Sequence, residues 1–292
     1  MVEQTRQLAS RRILREALAR RAYGERRVRL ACRDLGGCDH LVSTRRGLFA
    51  VGRDGHRLIA QGQFFGLTVE GNTVFAFEAC DRPSASSRLG RIVRLRREGT
   101  EIVAAEVFVE GLDNGCHQID LIGDILFVAN TYRQHIVAID RDGAAHDYRP
   151  IPLADARDWA NGYAHINSLI ASGEHRLVLL HNGAGHTGLC SEVAILDAGW
   201  RLIEKRPLAG SGCHGLAVLE DGTLLSCGSF AGEVVGSNGL RVKVTDLMTR
   251  GLSVGAEQIV VGGSAFAERD VRDRLMGEVC FLDRNYQLLG TV

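Results

Sequence analysis

Residues 117–131 read HQIDLIGDILFVANT, residues 165–183 HINSLIASGEHRLVLLHNG and residues 214–229 HGLAVLEDGTLLSCGS. Each is an apolar strand, a polar turn and a second apolar strand, the pattern of a β-hairpin. The pattern recurs as FGLTVEGNTVFAFEA from Phe65 and RGLSVGAEQIVVGGS from Arg250. Another amphipathic strand with a charged turn follows, as in HIVAIDRDG (135–143), SEVAILDAG (191–199) and GEVCFLDRN (277–285), and extends each hairpin to a meander of about four strands. The starts at Phe65, His117, His165, His214 and Arg250 lie 52, 48, 49 and 36 residues apart, near the roughly 40–50 of one β-propeller blade. A weaker copy, DHLVSTRRGLFAVGRDGHRLIA, begins at Asp39, its short blade open to completion by a strand around Val28 to Cys32. The predicted fold is therefore all-β, a six-bladed β-propeller over residues 28–292 as one domain, with an N-terminal helical extension over residues 1–27. Five blades behind an irregular segment is the other arrangement the spacing allows.

Composition bounds the function. Thirty-five glycines against four prolines suit many short strands joined by tight turns. Basic and acidic residues, thirty-five of each, cancel to zero net charge, and the basic ones lack interleaved aromatics. Neither nucleic acid nor a membrane is expected as partner. In the first 27 residues Leu8, Ile13, Leu14, Ala17, Leu18 and Ala22 recur at helical spacing, predicting an amphipathic helix packed by that stripe on the propeller's outside. That stretch has no export or spanning signal, and a chain this large needs no disulfides, so reduced thiols and a cytoplasmic location are expected. No G-x-S-x-G, Gly-rich phosphate loop or CxxC pair occurs.

The chemistry gathers at equivalent positions of the repeat. In a propeller the first strand of each blade faces the axis, so such positions converge. Gly115-Cys116-His117 and Gly212-Cys213-His214 are one tripeptide repeated 97 residues apart, and His165 holds the position between them. Neutral imidazole is the commonest ligand of transition metals, so His117, His165 and His214 are the candidate ligands of a divalent zinc, iron or copper ion. Such a face leaves positions open for water or substrate. A polar, water-filled channel and a histidine-lined anion site are the competing readings. His40, in Gly37-Cys38-Asp39-His40, is a candidate fourth ligand or proton carrier. Glu78, Asn130, His181-Asn182 and Ser229 end the second strands and are expected lower in the channel. Of these, Glu78 is a candidate catalytic acid or base, and Asn130, His181 and Asn182 are candidate substrate contacts. Arg250, where other blades have histidine, suits a carboxylate or phosphate on the substrate. Cys116 and Cys213 read as buried apolar thiols, since strand alternation turns them from the histidines. His181 and His186, five apart in a Gly-rich loop, read as a turn, and AFAERDVRDRLMGE as a charged loop between strands.

GCHGLAVLEDGTLLSCGS, TRGLSVGAEQIVVGGSAFAERDVRDR and GEVCFLDRNYQLLG resemble the C-terminal half of an uncharacterised bacterial propeller family. CHQIDLIGDILFVANT and HINSLI are similar to its earlier blades. The resemblance covers residues of about 110 to 292, implies the fold and assigns no reaction. In architecture the three histidines resemble those of metal propellers such as peptidylglycine amidating lyase, which implies zinc held in the channel. The expected function is a metal-dependent enzyme, lyase, hydrolase or oxygenase, acting on a small-molecule or peptide substrate that is acidic. A non-catalytic propeller serving as a binding platform is the alternative.

Overall fold

A computed structural model describes residues 2–149, 162–267 and 275–292, with side chains from residue 13 onward. Trp159 and the charged run from Glu268 to Arg274 lie outside the described residues. The fold is a six-bladed β-propeller, built of one three-stranded and five four-stranded antiparallel sheets that follow one another along the chain. The chain forms two compact units, residues 1–50 with 57–116, and residues 51–56 with 117–292.

The first unit holds helix α1 (Val2–Gly24) and two blades. Blade 1 contains β1 (His40–Thr44), β2 (Gly47–Gly52) and β3 (Gly55–Ala60), and blade 2 contains β4 (Phe64–Glu70), β5 (Thr73–Ala79), β6 (Gly90–Glu98) and β7 (Glu101–Leu112). The Val28–Cys32 segment does complete blade 1. Ala31 N–H donates to Ile59 O at 2.8 Å, and Gln61 N–H donates to Arg29 O at 2.9 Å. Leu48, Ala50, Ile59, Phe64, Val74, Ala76 and Val93 form the core here. In β5 the residues from Val74 to Ala79 are buried on both faces, which is why second strands read as unbroken apolar runs rather than as alternation.

The expected packing of α1 is corrected. Of the apolar stripe, Ile13, Leu14 and Leu18 are exposed and Ala22 is buried, as is Ala19 outside it. The helix is held by polar contacts, which small alanines allow to come close. Arg20 Nη2 donates to Asp81 at 2.8 Å, Arg82 Nε to Glu16 at 3.1 Å, and Gly111 N–H to the Tyr23 hydroxyl at 3.0 Å. Arg91, fully buried, donates Nη1 to Ala22 O at 3.1 Å and Nη2 to Arg27 O at 2.8 Å. Ala22 O, in the last turn of α1, also accepts from Arg27 N–H at 2.9 Å, and Arg27 follows the helix.

The second unit holds four blades. Blade 3 has β8 (Ile119–Ile122), β9 (Ile125–Asn130), β10 (His135–Ile139) and β11 (Ala145–Tyr148). Blade 4 has β12 (Ile166–Ser172), β13 (His175–Leu180), β14 (Glu192–Leu196) and β15 (Leu202–Pro207). Blade 5 has β16 (Cys213–Val218), β17 (Leu224–Gly228), β18 (Glu233–Gly236) and β19 (Arg241–Lys243). Blade 6 has β20 (Met248–Val254), β21 (Gln258–Ser264), β22 (Gly277–Asp283) and β23 (Leu288–Thr291). The first strands lie side by side, β8 by β12, β12 by β16 and β16 by β20. Each of the last three breaks its pairing register near its start, at Ile166/Ser168, His214/Ala217 and Thr249/Gly251. Such bulges re-aim side chains, and they stand at the repeat position of the histidines and of Arg250. Among the described residues no helix is long and apolar enough to cross a membrane.

Candidate functional site

Four imidazoles meet where blades 3, 4 and 5 begin. The ring of His165 lies 5.3 Å from that of His117, 4.8 Å from His181 and 6.2 Å from His214, and His181 lies 5.2 Å from His214. His181 therefore does not sit lower than the others. Antiparallel pairing brings the end of a second strand beside the start of the first, and His181 N–H donates to His165 O at 3.4 Å. By the same logic Ser229, just past β17, reaches His214, with Oγ 2.9 Å from Nδ1.

The backbone at His165 is strained into place. Its φ is +53°, a left-handed value that costs a non-glycine residue about 1–3 kcal/mol. Gln134, itself buried, accepts from the N–H of Ala164 at 2.5 Å and of His165 at 3.1 Å through one side-chain oxygen. Tyr163 reaches the ring: its hydroxyl donates to Thr131 O at 3.2 Å and lies 3.2 Å from His165 Nδ1. Gln134, Thr131, Tyr163 and Ser229 hold the histidines. Only Ser229 stands out in the repeat, and no motif marks the others.

Partners of fixed polarity set the tautomers. Gly183 N–H donates to His181 Nδ1 at 3.0 Å, so in the neutral ring the hydrogen is on Nε2. His214 Nδ1 lies 3.0 Å from Gly212 O, which can only accept, so this nitrogen carries the hydrogen and Nε2 keeps a bare lone pair. Since the Tyr163 hydroxyl donates to Thr131, His165 Nδ1 donates to Tyr163 and leaves Nε2 bare as well. Burial, then the charge of Arg250, lowers His181 to about 4. The same two causes, followed by the neighbouring imidazoles, hold His214 well below the usual imidazole range. Both rings are neutral at pH 7, one offering a lone pair and the other a hydrogen. Arg250, exposed and placed at the β20 bulge, is the positive charge of the site.

Asn130, Asn182 and Glu78 have partners of their own. Asn130 binds His135 Nε2 through Nδ2 at 3.1 Å and accepts from Arg133 N–H at 3.2 Å, closing its own turn. Asn182, at φ +59°, donates to Cys190 O at 2.9 Å and to Glu192 at 3.0 Å, which shapes the loop after β13. His186 lies in the one-turn helix α2 (Ala184–Thr187) of that loop. Glu78 and His40 belong to the first unit. Glu78 is ion-paired to Arg91 at 2.7 Å with both side chains buried, and desolvation raises its pKa. His40 opens β1. Cys116 and Cys213 are buried and form no disulfide, and desolvation pushes the Cys213 thiol up to about 11. Among the described residues no group of three or more His, Cys, Asp and Glu side chains is placed to hold a metal ion. His181, with its hydrogen on the outward nitrogen, is not in a ligand's tautomer.

No protein-family model matches the chain, and no curated protein matches it. Solved structures do. The nidogen/laminin complex aligns over 86% of this chain and 91% of its own at 9% identity, with a TM-score of 0.61. A protein of unknown function from Bacteroides caccae aligns over 86% and 92% at 12% identity, TM-score 0.56. Virginiamycin B lyase from Staphylococcus aureus, solved with quinupristin as a catalytically inactive histidine-to-alanine variant, aligns over 89% and 87% at 10% identity, TM-score 0.50. At such identities the likeness speaks for the propeller fold alone.

Proposed function

We propose that this protein is an acid–base enzyme of lyase type, acting on small carboxylic acids that carry a leaving group β to the carboxylate. The observation behind this reading is the pair His214 and His181, neutral, 5.2 Å apart and of opposite tautomer beside the charge of Arg250. Arg250 binds the carboxylate. The bare Nε2 of His214 takes the proton from the carbon next to it, and the freed electron pair becomes the new carbon–carbon double bond as the leaving group departs with its own pair. The Nε2–H of His181 hydrogen-bonds the oxygen on which charge develops, a task for which a neutral imidazole serves. The imidazolium of His214 then gives its proton to the leaving group, and both histidines return to their starting state. Virginiamycin B lyase, a lyase of the same fold that is inactive with one histidine replaced, supports a histidine-dependent reaction on this scaffold. Cytoplasmic location suits eight cysteines that form no disulfide.

A metal-dependent form is the second reading, favoured by one observation. His165 and His214 both donate Nδ1 to oxygen, the tether that turns an Nε2 lone pair outward as a ligand. With His117 they would hold zinc, iron or copper after their rings turn from where they stand, and the ion would supply a Lewis acid. Two measurements decide. On a panel of β-substituted acids, followed by the conjugated double bond formed, His214→Ala should lower kcat by about 10²–10⁴. Elemental analysis should find no metal lost between wild type and a His117→Ala/His214→Ala variant. Full activity in His214→Ala overturns the reading. One equivalent of metal, absent from the double variant, moves the assignment to the metal form.

A further inference from the structure

Phe230 joins the histidines to a cavity. It lies in the turn Ser229–Ala231 after β17, is 55% exposed, and meets His181 edge-on with ring centroids 6.2 Å apart. Phe266, 72% exposed, meets Phe230 at 6.2 Å in the same manner. Gly212 admits this arrangement. At φ +63° it lacks the Cβ that would stand 2.3 Å from the Phe230 ring and 3.3 Å from His181 Nε2. Beside Phe230 opens a cavity of about 160 Å³, walled by Cys190, Ala209, Gly210, Ser211 and the Glu233–Arg241 ion pair. A cavity of about 150 Å³ lined by apolar side chains has room for a benzene ring. Two exposed phenyl rings in contact leave apolar surface in water that a ligand's apolar surface would cover.

Resting on the acid–base reading above, we propose that the substrate is an arylalkyl carboxylic acid. Its ring enters the cavity against Phe230, its carboxylate meets Arg250, and the carbons between them lie before His214 and His181. A phenyl ring matches the cavity's volume and prefers an edge-to-face contact of the kind Phe230 already makes with His181 and Phe266.

Cys190 reports on the cavity without any catalysis. Among the described residues it is the exposed cysteine, and its alkylation by iodoacetamide can be followed by peptide mass spectrometry in the full chain. 3-Phenylpropanoate should slow the alkylation of Cys190, and propanoate at the same concentration should not. Phe230→Ala, a change at an exposed position, should weaken the 3-phenylpropanoate effect about tenfold in half-maximal concentration. Ser211→Phe, which fills the cavity, should abolish it. Equal shielding by both acids, or shielding by neither, overturns the proposal. If shielding follows this pattern while His214→Ala stays fully active, the reaction reading fails and the cavity assignment stands. If activity depends on His214 while the two acids shield alike, the cavity assignment alone fails.

Discussion

Glu78 and His181 end the second strands of blades 2 and 4, the same place in the repeat, and the two blades treat the buried polar group in opposite ways. Directly across the ladder from Glu78 stands Arg91, which pairs with it at 2.7 Å and donates as well to Ala22 O in the last turn of α1 and to Arg27 O just beyond it. Beside His181 stands Ser191, a neutral residue whose hydroxyl donates to the histidine carbonyl at 3.1 Å. Burial, then the charge of Arg250, takes the charge from this imidazole instead. One blade keeps its charge and uses it as a fastener. The other gives up charge and keeps a reactive nitrogen.

The largest effect expected from breaking this contrast is at the fastener. Removing one member of a buried ion pair leaves the other charged and alone, at a cost of about 3–5 kcal/mol. Glu78→Ala and Arg91→Ala should each lower the unfolding free energy by that amount in urea titrations. Glu78→Leu with Arg91→Met should recover part of the loss, since a packed apolar pair replaces a desolvated one. A loss below about 1 kcal/mol in both single variants would show the pair to be no fastener.

The histidines should reveal themselves through pH. A group whose folded pKa lies below its unfolded value binds fewer protons folded than unfolded between the two values, so stability rises with pH across that window. For His181 the window runs from about 4 to the ordinary 6.5. Acidifying through it should cost about 1.4 kcal/mol per pH unit for each such proton. His214, displaced the same way, adds to the slope. Glu78, raised by desolvation, acts in the opposite sense, so the informative quantity is the difference between wild type and His181→Gln. The stability of wild type relative to that variant should fall as pH drops below 6.5 and stay constant above it. A flat difference would mean that His181 titrates normally.

The blades were legible because turn spacing and apolar runs repeat along the chain, down to the Val28–Cys32 segment that bridges to Ala60 and completes blade 1. His117, His165 and His214 were legible for the same reason, as one position read three times. Depth was not: that His181 stands level with His165 follows from antiparallel pairing at the end of β13, which strand periodicity alone does not report. Nor was the polarity of each ring, which Gly183, Gly212 and Tyr163 set through single hydrogen bonds. Phe230 escaped notice because one aromatic in a turn has no pattern, and its meaning comes from the glycine at 212 that lets it reach His181.

The smallest effect tests the fastener from its other end. If α1 is held by Arg20, Arg82, Tyr23 and Arg91, its apolar stripe contributes little, because Ile13, Leu14 and Leu18 face solvent. Leu18→Ala then removes no packed contact and puts the best helix former at an exposed site, so the unfolding free energy should stay within about 0.5 kcal/mol of wild type. Ala22→Leu acts at the buried face, where added methylenes meet no room, and should cost about 1–3 kcal/mol. The reverse order of these two would mean that the stripe packs after all, and that the Glu78–Arg91 pair is not what fastens the helix to its blade.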